Sequence, residues 1–540
     1  MVTRHSNTLD LIEEAFKKYQ DKPAFTCAGY TMTFAEVDRA SRQFASYLQN
    51  ELRLNHGDRI AIQLPNILQY PVAFYGAIRA GLVVVNTNPL YTPRELKYQL
   101  VDSGARALVV LSNVAASAAG IVDETQVEHV IVTDFADLHP APKRWIINAV
   151  IRYVKKMVPA FSFAKPIAFR KTIVAQAKAL KPFNPASETL LLLQYTGGTT
   201  GVAKAAMLTH GNLASNAWQM ITHMPNAFDE GEEIYVACLP LYHIYGLQMH
   251  ALDSFLHGGH NILIPNPRDL ASMVEALKDI KITVFVGINT LFNALCRYEK
   301  FKHLDFSGLK VTASGGMALT EDASRLWTKT TGCQVTEGYG LTETSPVVCG
   351  NQTGSIQPGT IGRPLPETEI KVIDEDGNLL GPEQVGELCV RGPQVMAGYW
   401  QKPEETRKVL SEDGWLKTGD MALIQKDGFA RIVDRKKDMI IVSGFNVYPN
   451  EVEDVVCQHP DVIEAAAIGV PHEESGELVK LFVVSGNPQL TSDDVRAFCK
   501  QNLTAYKVPK IIEFRESLPK SNVGKILRRE LRDEETGGEK

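Results

Sequence analysis

Apolar positions recur along this chain in two rhythms. Residues 9–19 and 33–52 repeat at helical spacing, and short apolar runs at 59–64, 83–85 and 107–111 alternate with such helices up to about residue 140. Strands separated by helices of this length predict parallel βαβ units. The rhythm returns at 234–239, 261–264, 283–286 and 309–313, so the pattern predicts an α/β body with layered sheets. No repeat of fixed period runs through the chain.

From about Thr360 the texture changes. Short alternating runs at 369–373, 386–390 and 430–433 are punctuated by Gly, Pro and Asp-Gly turns, which predicts a small antiparallel β unit closing the large domain. After Asp434 the pattern becomes a helix (449–459), strands (463–469 and 478–484) and another helix (492–503), a compact α+β unit of domain size. The charged run Asp434-Arg435-Lys436-Lys437-Asp438 is the expected boundary, giving domains of 1–434 and 435–540.

Composition narrows the function class. The chain has 540 residues, 44% hydrophobic and 22% charged, which is ordinary for a soluble globular protein and too long for one core. A formal charge of -6 without a long single-sign run gives nucleic acid no implied role. The N-terminus carries acidic residues among its apolar ones and does not read as a secretory signal. Eight scattered cysteines without a CxxC pair point to reduced thiols in a cytoplasmic compartment rather than zinc or disulfides. Between Pro140 and Ser187 stand ten Lys or Arg residues and no Asp or Glu, and Trp145, Ile146, Val150, Ile151, Val154 and Met157 recur there at helix-like spacing. Two readings fit this segment: a basic amphipathic helix on anionic lipid, or a surface helix packed on its own domain.

The strongest chemistry follows the apolar run 190–193. Residues 195–206 read Tyr-Thr-Gly-Gly-Thr-Thr-Gly-Val-Ala-Lys-Ala-Ala. Gly197, Gly198 and Gly201 let backbone amides approach phosphate oxygens, Thr196, Thr199 and Thr200 supply hydroxyl donors, and Lys204 supplies charge. The spacing is not that of a P-loop, because Lys204 is followed by Ala205.

This loop resembles the signature of the adenylate-forming superfamily, and further motifs stand in that family's order. Gly338-Tyr339-Gly340-Leu341-Thr342-Glu343 resembles its YGxTE box, Trp415 to Asp420 its TGD box, Arg435 to Asp438 its hinge, and Pro519 to Lys525 its C-terminal lysine motif. The resemblance runs from about residue 20 to 535, and residues 413–439 resemble the fatty-acyl-CoA synthetase branch in particular. One departure is Ala205, where close relatives usually carry Gly.

The resemblance implies a large multi-layer α/β N-terminal domain with a β-barrel-like subdomain over 360–434 and a small mobile α+β C-terminal domain. It also implies ATP, Mg²⁺ and coenzyme A as partners in long-chain fatty-acid–CoA ligation through an acyl-adenylate. Thr342 would contact the α-phosphate, Glu343 would offer Mg²⁺ a hard carboxylate, and Tyr339 a face for adenine. Asp420 and Arg435 would hold the ribose. Lys525 would place charge where it develops on the reacting phosphate. Gly315 and Gly316 would lie by the nucleotide and the acyl channel, and His243 would position the substrate carboxylate. After rotation at Lys436, Lys437 or Asp438, Ser443 and Gly444 would let the pantetheine arm pass. A homodimer and peripheral contact with the cytoplasmic face of the membrane are further expectations. Competing readings are a medium-chain or aryl-acid CoA ligase, a peptide-synthetase adenylation module, and a nucleotide-binding membrane scaffold without turnover. The intact set Lys204, Glu343, Asp420, Arg435 and Lys525 speaks against the last.

Overall fold

A computed structural model describes residues 7–174, 177–196, 203–472, 475–521 and 524–535. Two large sheets carry the body. The first has seven strands in the order Ile167–Ala168, His129–Thr133, Ala105–Leu111, Arg59–Gln63, Val83–Asn86, Leu190–Thr196 and Lys204–Thr209, all parallel except the last pair. The second has nine strands, and its central neighbours Pro23–Cys27, His260–Leu263, Ile234–Ala237, Val284–Gly287, Val311–Ser314 and Val335–Gly340 are parallel. The short runs read as strands from the sequence are these strands, with ends shifted by at most two residues.

Helix positions follow from capping and amphipathicity. Thr33 caps the helix Phe34–Asn50 in a reciprocal box with Glu36, and the buried positions Phe34, Val37, Phe44 and Leu48 face inward. The helix Gln69–Arg79 is buried at every position, so it lies inside the body rather than on it. Its charged end is neutralised where it lies: Arg79 is 3% exposed and pairs with Glu13 at 2.6 Å and with Asp38. Phe16, Phe25, Phe34, Tyr75 and Phe255 form an aromatic cluster there, with Phe34 and Phe255 stacked at 4.5 Å.

The antiparallel unit expected after Thr360 is a four-stranded sheet, ordered Glu369–Ile373, Gly386–Arg391, Leu416–Ile424 and Ala430–Arg435. Its outer strands do not pair with each other among the described residues, so the barrel-like subdomain is realised as an open sheet. The last unit is built on Val462–His472 and Gly476–Ser485, flanked by Ile440–Val442, Phe445–Val447 and Ile511–Phe514. Strand alternation gives it two cores: Ala465 and Ala467 point to one face with Val452 and Val456, Ala466 and Ile468 to the other with Leu518 and Leu531.

The basic segment forms the helix Lys143–Ala149, continued as a wider π-wound turn, Val150–Val154. No position in either is buried, and Trp145, Ile146, Tyr153 and Val154 are exposed. Among the described residues no helix is long and apolar enough to cross a membrane. Seven of the eight cysteines are buried and Cys457 is half-buried; burial raises every one of their thiol pKa values.

Candidate active site

The two large sheets, the four-stranded sheet and the C-terminal unit meet around one cavity of about 1790 Å³. Thr196 and Lys204 reach it as paired residues at the top of the antiparallel strands Leu190–Thr196 and Lys204–Thr209. Gly197, Gly198, Thr199, Thr200 and Gly201 lie outside the described residues. Lys204 pairs with Glu405 of the helix Pro403–Val409 and sits 5.3 Å from the centre of the Tyr399 ring. The methyl of Ala205 is fully buried in the core beneath, where Trp400 donates its backbone N–H to the Ala205 carbonyl at 2.9 Å.

The strand Val335–Gly340 delivers Gly338, Tyr339 and Gly340 to the cavity, and the tight turn Thr342–Thr344 follows directly. Gly340 is needed for packing: a Cβ there would stand 2.0 Å from the Pro346 carbonyl oxygen. Glu343 accepts a hydrogen bond from the Tyr399 hydroxyl at 2.8 Å. That leaves its second oxygen for a cation shared with phosphates, the way a magnesium ion is held by one or two carboxylates and substrate oxygens.

Asp420 and Arg435 are cross-strand neighbours, and Arg435 Nε lies 3.0 Å from Asp420 Oδ1. The Tyr339 hydroxyl donates to Asp420 Oδ2 at 2.5 Å. Asp420 is almost fully buried, yet a carboxylate has about four acceptor positions, so a vicinal diol could still bond to it. The bond to Asp420 anchors the Tyr339 hydroxyl, and Tyr339 lines the cavity.

Lys525 enters from the C-terminal unit. A Cβ on Gly316, whose φ is +82°, would stand 3.9 Å from Lys525 Cε, which places the ammonium stem over the glycine turn after Val311–Ser314. Gly315 is the other residue of that turn, and a Cβ there would press on the Tyr245 ring at 3.1 Å. Burial first, and then the charge of Arg435, lower the Lys525 pKa to about 8 against the opposing pull of Asp420 and Glu343. His243 caps the turn Ile244–Gly246, its Nδ1 accepting the Tyr245 backbone N–H at 3.3 Å. Burial, with Lys525 nearby, lowers its pKa to about 3. It is therefore a neutral ring whose Nε2 carries the proton and can donate to an anion.

Ser443 and Gly444 are placed elsewhere. They form the exposed turn between Ile440–Val442 and Phe445–Val447 and do not line the cavity. At the expected hinge, Lys436 pairs with Glu387 of the four-stranded sheet at 3.0 Å, and Asp438 pairs with Arg532 of the C-terminal helix Arg528–Glu535 at 2.7 Å. Lys437 forms no ion pair or hydrogen bond among the described residues.

Sequence reasoning missed Glu405 and Tyr399, which hold Lys204 and Glu343. It also missed Glu337, beside the YGxTE box, whose burial raises its carboxyl to about 7 with Asp454 of the C-terminal unit adding to the effect. The only sequence signal was proximity: Tyr399 and Glu405 flank a Pro403 helix start, and an isolated Glu is usually surface.

The AMP-binding enzyme family matches residues 12–400, and the AMP-binding enzyme C-terminal domain matches residues 451–525. The chain is 51% identical over 537 residues to a long-chain-fatty-acid–CoA ligase of Salmonella typhimurium strain LT2, covering 99% of this chain and 95% of that protein. It is 38% identical over 535 residues to the protein of the same name from Bacillus subtilis strain 168, covering 97% and 94%. Among solved structures it resembles the anthranilate CoA ligase AuaEII in complex with anthranoyl-AMP, with a TM-score of 0.88 at 25% identity, over 99% of this chain and 98% of that one.

Proposed function

The chain belongs to the AMP-binding enzyme family, and from that membership we propose that it is a long-chain fatty-acid–CoA ligase that joins a fatty acid to coenzyme A at the expense of ATP, releasing AMP and diphosphate. The observation that carries this reading is that Lys525, His243, Glu343 and the Asp420–Arg435 pair line one cavity.

The residues divide the work. Asp420 accepts the ribose hydroxyls, steadied by Arg435 and Tyr339, and the Tyr339 face receives the adenine. His243 donates through Nε2 to the fatty-acid carboxylate and turns it toward the α-phosphorus. As the carboxylate oxygen bonds to phosphorus and the diphosphate leaves, negative charge gathers on the α-phosphate oxygens. Lys525 and Thr342 stand ready to meet it, and in a buried site that preorganised charge acts strongly. Glu343 would hold a magnesium ion together with the nucleotide's phosphates, and such an ion would supply positive charge against the diphosphate.

The thiol step needs a different approach to the same carbonyl. We place the domain boundary at Asp434 and Arg435 and the pivot at Lys437, the one residue of the run with no fixed partner among those described. Rotation there would withdraw Lys525 and bring the exposed Ser443–Gly444 turn to the cavity, where the glycine's φ of +80° leaves room for the pantetheine arm. The exposed apolar residues and lysines of the 143–157 segment support contact with an anionic membrane surface. We include the homodimer in the proposal; light scattering at several protein concentrations tests it.

The test is release of diphosphate and AMP with magnesium-ATP across acids from acetate to oleate, with and without coenzyme A, for wild type and Lys525→Ala. Long acyl chains, sustained by coenzyme A and lost in Lys525→Ala, are the expected result. Release of ADP, or preference for short or aromatic acids, would overturn the chemistry or the substrate class.

A further inference from the structure

The cavity runs on past His243 along a helical stretch made of Ile244–Gly246, the π-wound Leu247–Asp253 and Ser254–Leu256. Tyr245, Met249, Asp253 and His257, every fourth residue of this stretch, line it on one side. Facing them are apolar side chains, among them Met220, Met224, Phe228, Val284 and Val311.

Asp253 is the acid of this stretch that lines the cavity; Gln248 Oε1 and His250 Nε2 are also buried without a hydrogen-bond partner among the described residues, but those two residues do not line it. Asp253 retains 8% of its exposure. Its Oδ1 accepts from the Gln248 amide at 2.8 Å, while Oδ2 is buried with no hydrogen-bond partner among the described residues. Burial raises its carboxyl to about 8, the Gln248 bond opposing, so near neutral pH it is largely an uncharged acid able both to donate and to accept. An unpartnered polar atom in an apolar channel disfavours folding, and neither nucleotide chemistry nor carboxylate positioning uses it.

We propose that Asp253 stands partway along the acyl channel, about twelve carbons from the carboxylate, and recognises fatty acids bearing a hydroxyl at that distance. This rests on the reading above that the substrate carboxylate sits by His243. Ten residues separate His243 from Asp253, about 15 Å at the α-helical rise and somewhat less where the winding is wider. An extended chain advances about 1.2 Å per bond, the value for a polypeptide of three bonds per residue, so about twelve carbons bridge the distance. A terminal hydroxyl there can accept the proton that Oδ2 carries, or donate to Oδ2 when the acid is ionised. A second carboxylate would bring an unpaired charge between apolar walls, which that environment rejects.

The experiment compares kcat/KM, read as diphosphate release, for dodecanoate, 12-hydroxydodecanoate and 1,12-dodecanedioate in wild type, Asp253→Asn and Asp253→Leu. Octanoate, too short to reach Asp253, reports folding. The ratio of 12-hydroxydodecanoate to dodecanoate should fall about tenfold in Asp253→Leu, the worth of one hydrogen bond to a buried group, and stay within a few-fold in Asp253→Asn, with octanoate unchanged. An unchanged ratio in the leucine variant, or dodecanedioate preferred over the hydroxy acid, would overturn the proposal. Should Asp253→Leu fail to fold, wild type alone decides. A terminal hydroxyl must then cost less on dodecanoate than on octanoate, and an equal penalty at both lengths overturns the proposal. Absence of acid-dependent diphosphate release with every acid would instead refute the ligase reading itself.

Discussion

Asp420 and Arg435 face each other across adjacent antiparallel strands with Oδ1 and Nε 3.0 Å apart, while the Tyr339 hydroxyl holds the other carboxylate oxygen. The acceptor is thus oriented before any nucleotide arrives. Asp420→Asn keeps the shape and removes the charge, so the KM for ATP should rise at least about tenfold, the worth of a charge-assisted hydrogen bond. Tyr339→Phe should cost less, about fivefold, because Arg435 still orients the carboxylate. Diphosphate release against ATP concentration measures both; an unchanged KM in Asp420→Asn would place the ribose elsewhere.

Lys204 reaches the cavity already paired with Glu405. Phosphate oxygens must compete for that ammonium, so Glu405→Gln should lower the KM for ATP a few-fold and Lys204→Ala should raise it. Both effects should shrink as salt is added, since the pair is partly exposed. Titration with ATP at two ionic strengths separates this from a structural role, which salt would not reverse.

Lys525 must be charged to act, and its pKa is lowered to about 8 by burial. The ammonium is complete well below that value and is lost as pH rises through it. Acid-dependent diphosphate release should therefore decline from about pH 8 upward, by about tenfold per unit once the amine is neutral. Lys525→Arg should be slower but flat over the same range, because arginine keeps its charge. A wild-type profile still level at pH 9.5 would contradict this account.

Much of the fold was legible because parallel strands buried on both faces read as short apolar runs between helices, as at residues 83–85 and 283–286. The motif residues were legible because their order along the chain carries information that no one of them carries alone. Glu405 and Glu337 were not, since their importance comes from burial and from partners distant in sequence, Lys204 and Asp454. Asp253 was hidden for a similar reason. In sequence it is an acid inside an apolar run, and only the packed π-wound turn shows that one of its oxygens is unpartnered.

Glu337 of the large domain and Asp454 of the C-terminal unit are both raised to about 7, by burial first. Glu453 and Asp434 add to the effect on Asp454, while Arg431 and Arg528 oppose it. Carboxyls raised on docking bind protons that the separated groups release. Docking is thus favoured below the ordinary carboxylate range and weakened as pH climbs through about 7. The C-terminal unit should swing more freely at pH 8 than at pH 6, seen as a larger radius by small-angle scattering. The double variant Glu337→Gln, Asp454→Asn should abolish that difference; persistence of the difference would point to other groups.

Trp145, Ile146, Tyr153 and Val154 stand exposed among Lys143, Arg144, Lys155 and Lys156. Flotation with anionic liposomes should recover the protein, and less so with neutral ones. Replacing Trp145 and Tyr153 by Ser should cut the bound fraction about tenfold while leaving turnover of soluble octanoate intact. Equal recovery on neutral vesicles would rule out the charge contribution.

The eight cysteines, seven buried and one half-buried, bear on what the enzyme can safely hold. A mixed anhydride of a fatty acid and a nucleotide acylates any thiolate it meets, and a thioester product exchanges with one. Cys457 borders the cavity itself, yet burial pushes its thiol up to about 12, with Glu453 and Asp454 adding to the effect. At neutral pH the protein therefore offers its own activated intermediate almost no sulfur nucleophile, and the one thiol free to accept the acyl group is the thiol that diffuses in.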